Sequence, residues 1–375
     1  MLNTLDQRPR MGVPGFRKVT AIVKAFQAGK MTRKKNDEMW NSFCLRREKC
    51  VERPASRRPD LLILILCFLT ASCISAQNTP PRRPFKLVGN TPVFWSLISP
   101  AAKIETMATG FGFTEGPVWD KADFVWASDE VLNKIFRVYP DGHREEMLAL
   151  GDPDGSTYDH EHRLISTASV LRAIIRLSQD GKSYTILADR YEGKKFNSPN
   201  DVVMGPDGAL YFTDPTLDLV KDEKQEIPFQ GVYRLDATGK VTLLTKDLTQ
   251  PNGLAFSPDG KHLYIDDSEQ KNIRVYDFHA DGTVSNGRIF GSEDDGTNDG
   301  VPDGIRVDQK GNLFVVGPRG IWVWSPAGIH LGTIEVPEQP ANLSWGGVDN
   351  SILYITATTS IYKLRTMTRG FVPYD

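Results

Sequence analysis

Apolar residues along most of this chain come in short alternating runs broken by tight turns. In QPNGLAFSPDGKHLYIDD, residues 250–267, Leu254 and Phe256 precede the turn Ser257-Pro258-Asp259-Gly260, and Leu263, Tyr264 and Ile265 follow it. Such a pattern around a Pro-Asp-Gly turn predicts two antiparallel strands. The same phrase recurs from about residue 98 onward: EGPVWD from Glu115, DGSTYD from Asp154, NDVVMG from Asn200, NGLAFS from Asn252, DGIRVD from Asp303 and NLSWGG from Asn342. By subtraction the intervals are 39, 46, 52, 51 and 39 residues. Each unit runs on into a second strand (ALYFTDP, HLYIDD, NLFVVG, ILYITA), a third (GVYRLD, NIRVYDF, GIWVWS, SIYKL) and often a fourth. Four short strands repeating at about 40–50 residues mark the blades of a β-propeller, so six units predict an all-β, six-bladed propeller over 98–370. The last unit ends at its third strand, and KIETMAT, ahead of Glu115, is expected to supply the fourth and remove the exposed edges.

Propeller geometry sorts the side chains. The first strand of each blade lines the central channel, so the residue entering it shares a face with the loop between strands two and three. The six entering residues are Glu115, Asp154, Asn200, Asn252, Asp303 and Asn342, every one an acid or an amide. One such residue is an ordinary turn-former; six in register predict a ring of oxygen donors at the channel mouth. Close carboxylates repel unless a cation offsets their charge. Oxygen donors without His or Cys select Ca²⁺ or Mg²⁺ over Zn²⁺, and amide ligands favour the less demanding Ca²⁺ geometry. The loops between strands two and three offer Asp214, Asp267 and Arg319, with Asn197 nearby, as substrate contacts. The long loop 216–230 is a candidate lid, and the acidic SEDDGTNDG, 292–300, reads as a solvated loop. All six histidines fall on the opposite face or the outer strands, and no G-x-S-x-G elbow occurs, which disfavours Ser-His-Asp chemistry.

The first 97 residues are different in kind. Residues 1–60 are rich in Arg and Lys without sustained periodicity, and are expected to be a disordered extension or a mis-called start, with the true start at Met31 or Met39. LLILILCFLTASCISAQ follows at 61–77. A basic flank, an apolar core too short to span a bilayer and a small-residue exit predict a signal peptide over 61–76, cut after Ala76. Residues 77–97 then read as a linker. That cleavage implies a secreted or periplasmic mature chain with no stable membrane span, and because all four cysteines precede the cut, no thiol chemistry is expected in it. A net charge of -2 gives no reason to expect nucleic acid.

FTEGPVWD, NSPNDVVMGPDGALYFTDP, QPNGLAFSPDGKHLYIDDS and the stretch from PDGIRVD to NLSWGG closely resemble the SMP-30/gluconolactonase/LRE-like family, over about residues 98–367. The resemblance implies a propeller with a divalent metal, usually Ca²⁺, that hydrolyses sugar lactones or related esters. It assigns metal contact to Glu115, Asn200, Asn252 and Asp303, with Asp303 also catalytic as base or nucleophile. Two positions depart from the family pattern: Ser198 stands where animal members carry a sugar-holding Arg, and 166–170 read STASV where CEHG-like residues are common. The expected function is therefore Ca²⁺-dependent hydrolysis of a small-molecule lactone, other divalent cations being compatible. The alternatives are a broader esterase or phosphotriesterase and a non-catalytic, Ca²⁺-stabilised binding propeller. Oligomeric state is not encoded in these patterns.

Overall fold

A computed structural model describes residues 82–374 except Asn298; the basic extension and the expected signal peptide lie outside the described residues. Blade 1 is formed by Thr114–Asp120, Phe124–Asp129, Lys134–Val138 and Arg144–Ala149, and blade 2 by Pro153–Tyr158, Leu164–Ala168, Ala173–Leu177 and Tyr184–Ala188. Blade 3 is Val202–Met204, Leu210–Asp214, Gly231–Leu235 and Val241–Thr245; blade 4 is Pro251–Phe256, His262–Asp267, Asn272–Phe278 and Val284–Ser292. Blade 5 is Ile305–Val307, Leu313–Gly317, Gly320–Trp324 and His330–Glu335. Blade 6 is Pro340–Gly346, Ile352–Ala357 and Ser360–Arg365, completed by the early strand Ile104–Thr109, which pairs antiparallel with Ser360–Arg365. The innermost strands touch one another in the cycle 1-2-3-4-5-6-1, so the ring is closed.

Blades pack face to face, which explains the composition of the strands. Each seam between neighbours holds its own buried apolar cluster. In blade 3, Leu210 and Phe212 pack toward blade 2 while Tyr211 packs toward blade 4. A strand buried on both faces reads as a continuous apolar run, as LYF does here. Among the described residues no helix is long and apolar enough to cross a membrane.

Residues 82–97 correct the expected linker. Lys86–Gly89 pairs with His330–Glu335 as a fifth strand of blade 5. The one-turn helix Phe94–Leu97 then buries Phe94 and Leu97 in the seam of blades 5 and 6. The Pro- and Arg-rich lead-in conceals a short strand whose partner lies more than 240 positions further along.

Around the channel the inner strands approach too closely for side chains. A Cβ on Gly253 would lie 2.1 Å from the carbonyl oxygen of Asp303, and one on Gly116 2.1 Å from that of Asp154. On Gly304 it would meet Asn342 Oδ1 at 2.2 Å, and on Gly155 Asp201 Oδ1 at 2.2 Å. The glycine after each of four ring residues is thus a seat for the next blade. Gly253→Ala forces two backbones apart and should destabilise the fold by about 3 kcal/mol, the upper end for overpacking, read as a lower urea midpoint; an unchanged midpoint refutes this packing.

Candidate active site

The six entering residues converge at one mouth of the channel and pair across seams. Asn342 of blade 6 donates Nδ2–H to Glu115 Oε2 of blade 1 at 2.9 Å. Asn200 of blade 3 donates to Asp154 Oδ2 of blade 2 at 2.8 Å. The Asn252 amide of blade 4 faces the Asp303 carboxyl of blade 5 and favours its charged form, while its Nδ2–H goes to Ser268 Oγ at 3.0 Å. The chain bends at these points: the ladder shifts register between Glu115 and Val118, Pro153 and Ser156, Pro251 and Leu254, and Pro340 and Asn342. Bulges of this kind re-aim side chains at sheet ends, here toward the axis.

Each couple leaves oxygen atoms over. Glu115 Oε2 is occupied by Asn342 and by the Gly116 N–H at 2.7 Å. Asp154 Oδ2 takes Asn200 and the Ser169 hydroxyl at 3.3 Å. Asn342 uses its own oxygen on the Leu343 N–H at 2.8 Å, which makes it a holder of Glu115. Carboxylate oxygens of Glu115, Asp154 and Glu130 all lie within 4.8 Å of one another. Glu115 and Asp154 are buried, whereas Asp303 and Glu130 are partly exposed. The mouth therefore has a sealed acidic floor and an open acidic rim.

Burial pushes the Glu115 carboxyl up to about 8 against the pull of the Gly116 and Asn342 donors. Asp154 is raised well above the carboxylate range by burial, then by the charges of Glu130, Glu115, Asp218 and Asp303. Asp303 is raised by burial and by Glu115, Asp201 and Asp218, with Asn252 opposing. Deeper in the channel Arg306 lies 3.4 Å from the buried Asp201, a countercharge beneath the floor. Clustered hard oxygen atoms whose ionisation is mutually opposed fit a divalent cation.

Two acidic members were missed from the sequence. Glu130 follows strand two of blade 1 and Asp218 lies in the long blade 3 loop; both sit in loops assigned to the correct face, but outside the repeated phrase. Asp218 N bonds Ser198 Oγ at 3.3 Å, so the position that departs from the family pattern positions this loop.

The expected substrate contacts Asn197, Asp214 and Asp267 need correction, since all three are buried. Asp267 receives the N–H groups of Thr249 at 2.6 Å and Gln250 at 3.1 Å. Asp214 receives that of Asn197 at 2.9 Å. Asp129 of blade 1 does the same for Gly112 at 2.8 Å and Phe113 at 3.3 Å. An Asp ending strand two clamps the segment entering strand one of its own blade. Arg319 is ion-paired with Asp295 at 2.7 Å. The loop 292–300 is less solvated than expected, since Glu293 is wholly buried and accepts the Trp324 indole N–H at 3.0 Å. None of the six histidines contacts the acidic ring; His262, for example, lies 3.5 Å from Asp277 in the outer part of blade 4.

A closed six-bladed propeller with an oxygen-lined, acid-rich channel mouth is the class these observations define. The chain belongs to the SMP-30/Gluconolactonase/LRE-like family, whose sequence profile matches residues 113–359. It is similar to a gluconolactonase of Zymomonas mobilis subsp. mobilis, 33% identical over 329 residues covering 80% of this chain and 92% of the relative. A pentonolactonase of Haloferax volcanii is 27% identical, covering 64% of this chain and 80% of its own. A solved gluconolactonase of Xanthomonas campestris matches with a TM-score of 0.69 at 29% identity, over 77% of this chain and 99% of that one.

A carboxyl whose folded pKa lies above its unfolded value takes up a proton on folding, so its contribution is greatest below the unfolded value. For Glu115 the loss runs from about 4.5 to about 8. The chelated protein should therefore show a Tm that falls as pH rises through that window. A saturating divalent cation should flatten the fall, because cation binding favours deprotonated carboxylates. A pH-independent Tm after chelation contradicts the burial cost described for this carboxyl.

Proposed function

We propose that this protein hydrolyses a sugar lactone at the acidic mouth, with a divalent cation, Ca²⁺ by its donor set, held by Glu115, Asn200, Asn252 and Asp303. The observation that carries the reading is the convergence of three acid–amide couples on one axis, together with membership of a lactonase-containing family. When bound, the cation supplies charge stabilisation to the lactone carbonyl. The remaining work falls to the chain itself. Asn342 and Gly116 fix the Glu115 carboxylate, Asn200 and Ser169 fix Asp154, and the Asn252 amide favours the charged form of Asp303.

Asp303 is the proposed catalytic residue. It is the partly exposed acid among the three couples, open to both water and substrate. It accepts a proton from the attacking water as the new C–O bond forms. The ring C–O bond then breaks, and that proton is returned to the departing alkoxide. Asp218, whose charge is felt at both Asp154 and Asp303, is placed to accept hydrogen bonds from substrate hydroxyls. Arg319, on the same face but tied to Asp295, is a wall contact in this scheme. Secretion, read from residues 61–76, belongs to the same proposal.

Activity on D-glucono-δ-lactone tests it. Chelation should abolish turnover and Ca²⁺ restore it. Asp303→Asn should lower kcat by about 10²–10⁴-fold, the range for general acid–base groups, with little change in Tm. Asp218→Ala should instead raise KM. Near-wild-type turnover by Asp303→Asn, or full activity after exhaustive chelation, ends this reading.

A further inference from the structure

Beneath the long loop 216–230 four buried polar atoms have no hydrogen-bond partner: Arg172 Nη2, Asn197 Oδ1, Asp214 Oδ1 and Tyr233 Oη. Their residues are at most 5% exposed. These residues are linked to one another through the inner part of blade 3 and its neighbour, blade 2. Asp214 pairs with Gly231 across the ladder, so the two share a face of blade 3, and Tyr233, two residues on, shares it too. A Cβ on Gly231 would lie 2.6 Å from Tyr233 Oη, so the hydroxyl reaches across this glycine toward the Asp214 carboxyl. Asn197 is joined to Asp214 by its backbone N–H at 2.9 Å and by Nδ2 to the Asp214 carbonyl at 3.2 Å. Arg172 donates through Nε to the carbonyl of the adjacent Phe196 at 2.5 Å.

The four atoms are complementary to a single chemistry. Arg172 Nη2 and Tyr233 Oη are donors; Asn197 Oδ1 and Asp214 Oδ1 are acceptors. One water molecule donates two hydrogen bonds and accepts two, and buried waters hold polar groups of this kind. We propose that this junction is an internal water site, and that Asp214 and Tyr233 act through it as positioning residues for the loop over the mouth. Asn197 and Arg172 also hold the second half of that loop. Asn197 Nδ2 bonds the Phe229 carbonyl at 2.8 Å, and Arg172 Nη1 bonds the Lys224 carbonyl at 3.4 Å. Three residues after Asn197 the chain delivers Asn200 to Asp154. The water site stands on these contacts alone; its influence on catalysis rests on the lactonase reading.

A high-resolution crystal structure of the full chain is expected to show an ordered water within about 3.2 Å of at least three of the four atoms. A dry junction, or direct pairing among the four, overturns the site. Tyr233→Phe removes one donor and keeps the ring. With water present it should lower Tm by about 2 °C and speed amide exchange across 216–230. It should also shift kcat and KM for D-glucono-δ-lactone together by several-fold, since residues that set the position of such a loop act on both. An unchanged or higher Tm with unchanged exchange refutes the positioning role, because deleting an unsatisfied hydroxyl is neutral or stabilising. Should the wild type prove inactive on lactones, crystal density and exchange rates still decide the water site, so the two readings fail separately.

Discussion

Like charges held together out of water are the constraint on which the rest of this structure depends. Glu115, Asp154 and Asp303 come from blades 1, 2 and 5, and each faces an amide of a neighbour: blades 6, 3 and 4. No couple is contained within a single blade. The site therefore exists only when the ring is closed, and closure depends on a strand from the beginning of the described chain pairing with one near its end. Close packing of the inner strands has the same origin. Glycines at 116, 155, 253 and 304 let adjacent blades approach until amides and acids can meet. The acids oppose one another's ionisation, so the floor is a place where the fold gives up stability, and such places are characteristic of function.

Legibility in the sequence followed repetition. Blades recur, so their number, strand order and closing strand could be read from spacing, and ring residues could be read because each occupies the same place in its phrase. Glu130 and Asp218 escaped because they lie in loops that differ from blade to blade. Asp214 and Asp267 failed for another reason. An acid at the end of strand two can face the mouth or fold back onto nearby N–H groups, and alternation is identical in both cases. Asp129, in the same place in blade 1, also folds back. A carboxylate recurring at one position in blades of different loop sequence points to a structural clamp. The blade 5 addition, Lys86–Gly89, was hidden because a four-residue strand has no meaning without its partner.

Floor and rim divide the chemistry of the mouth. Glu115 and Asp154 are sealed and held by their amide, hydroxyl and N–H donors, which suits charge placement. Asp303, Glu130 and Asp218 remain partly open, and all carry the same sign. Arg306 sits on the other side of the floor, against Asp201, so its charge compensates the buried side of the ring more than the rim. In the proposed reaction the lactone is neutral and approaches the acidic rim without penalty, and the cation that would offset the clustered acids is also the charge its carbonyl oxygen would meet. The electrostatics that make the floor costly to build are thus the ones a divalent cation relieves, and histidine need take no part in the cycle.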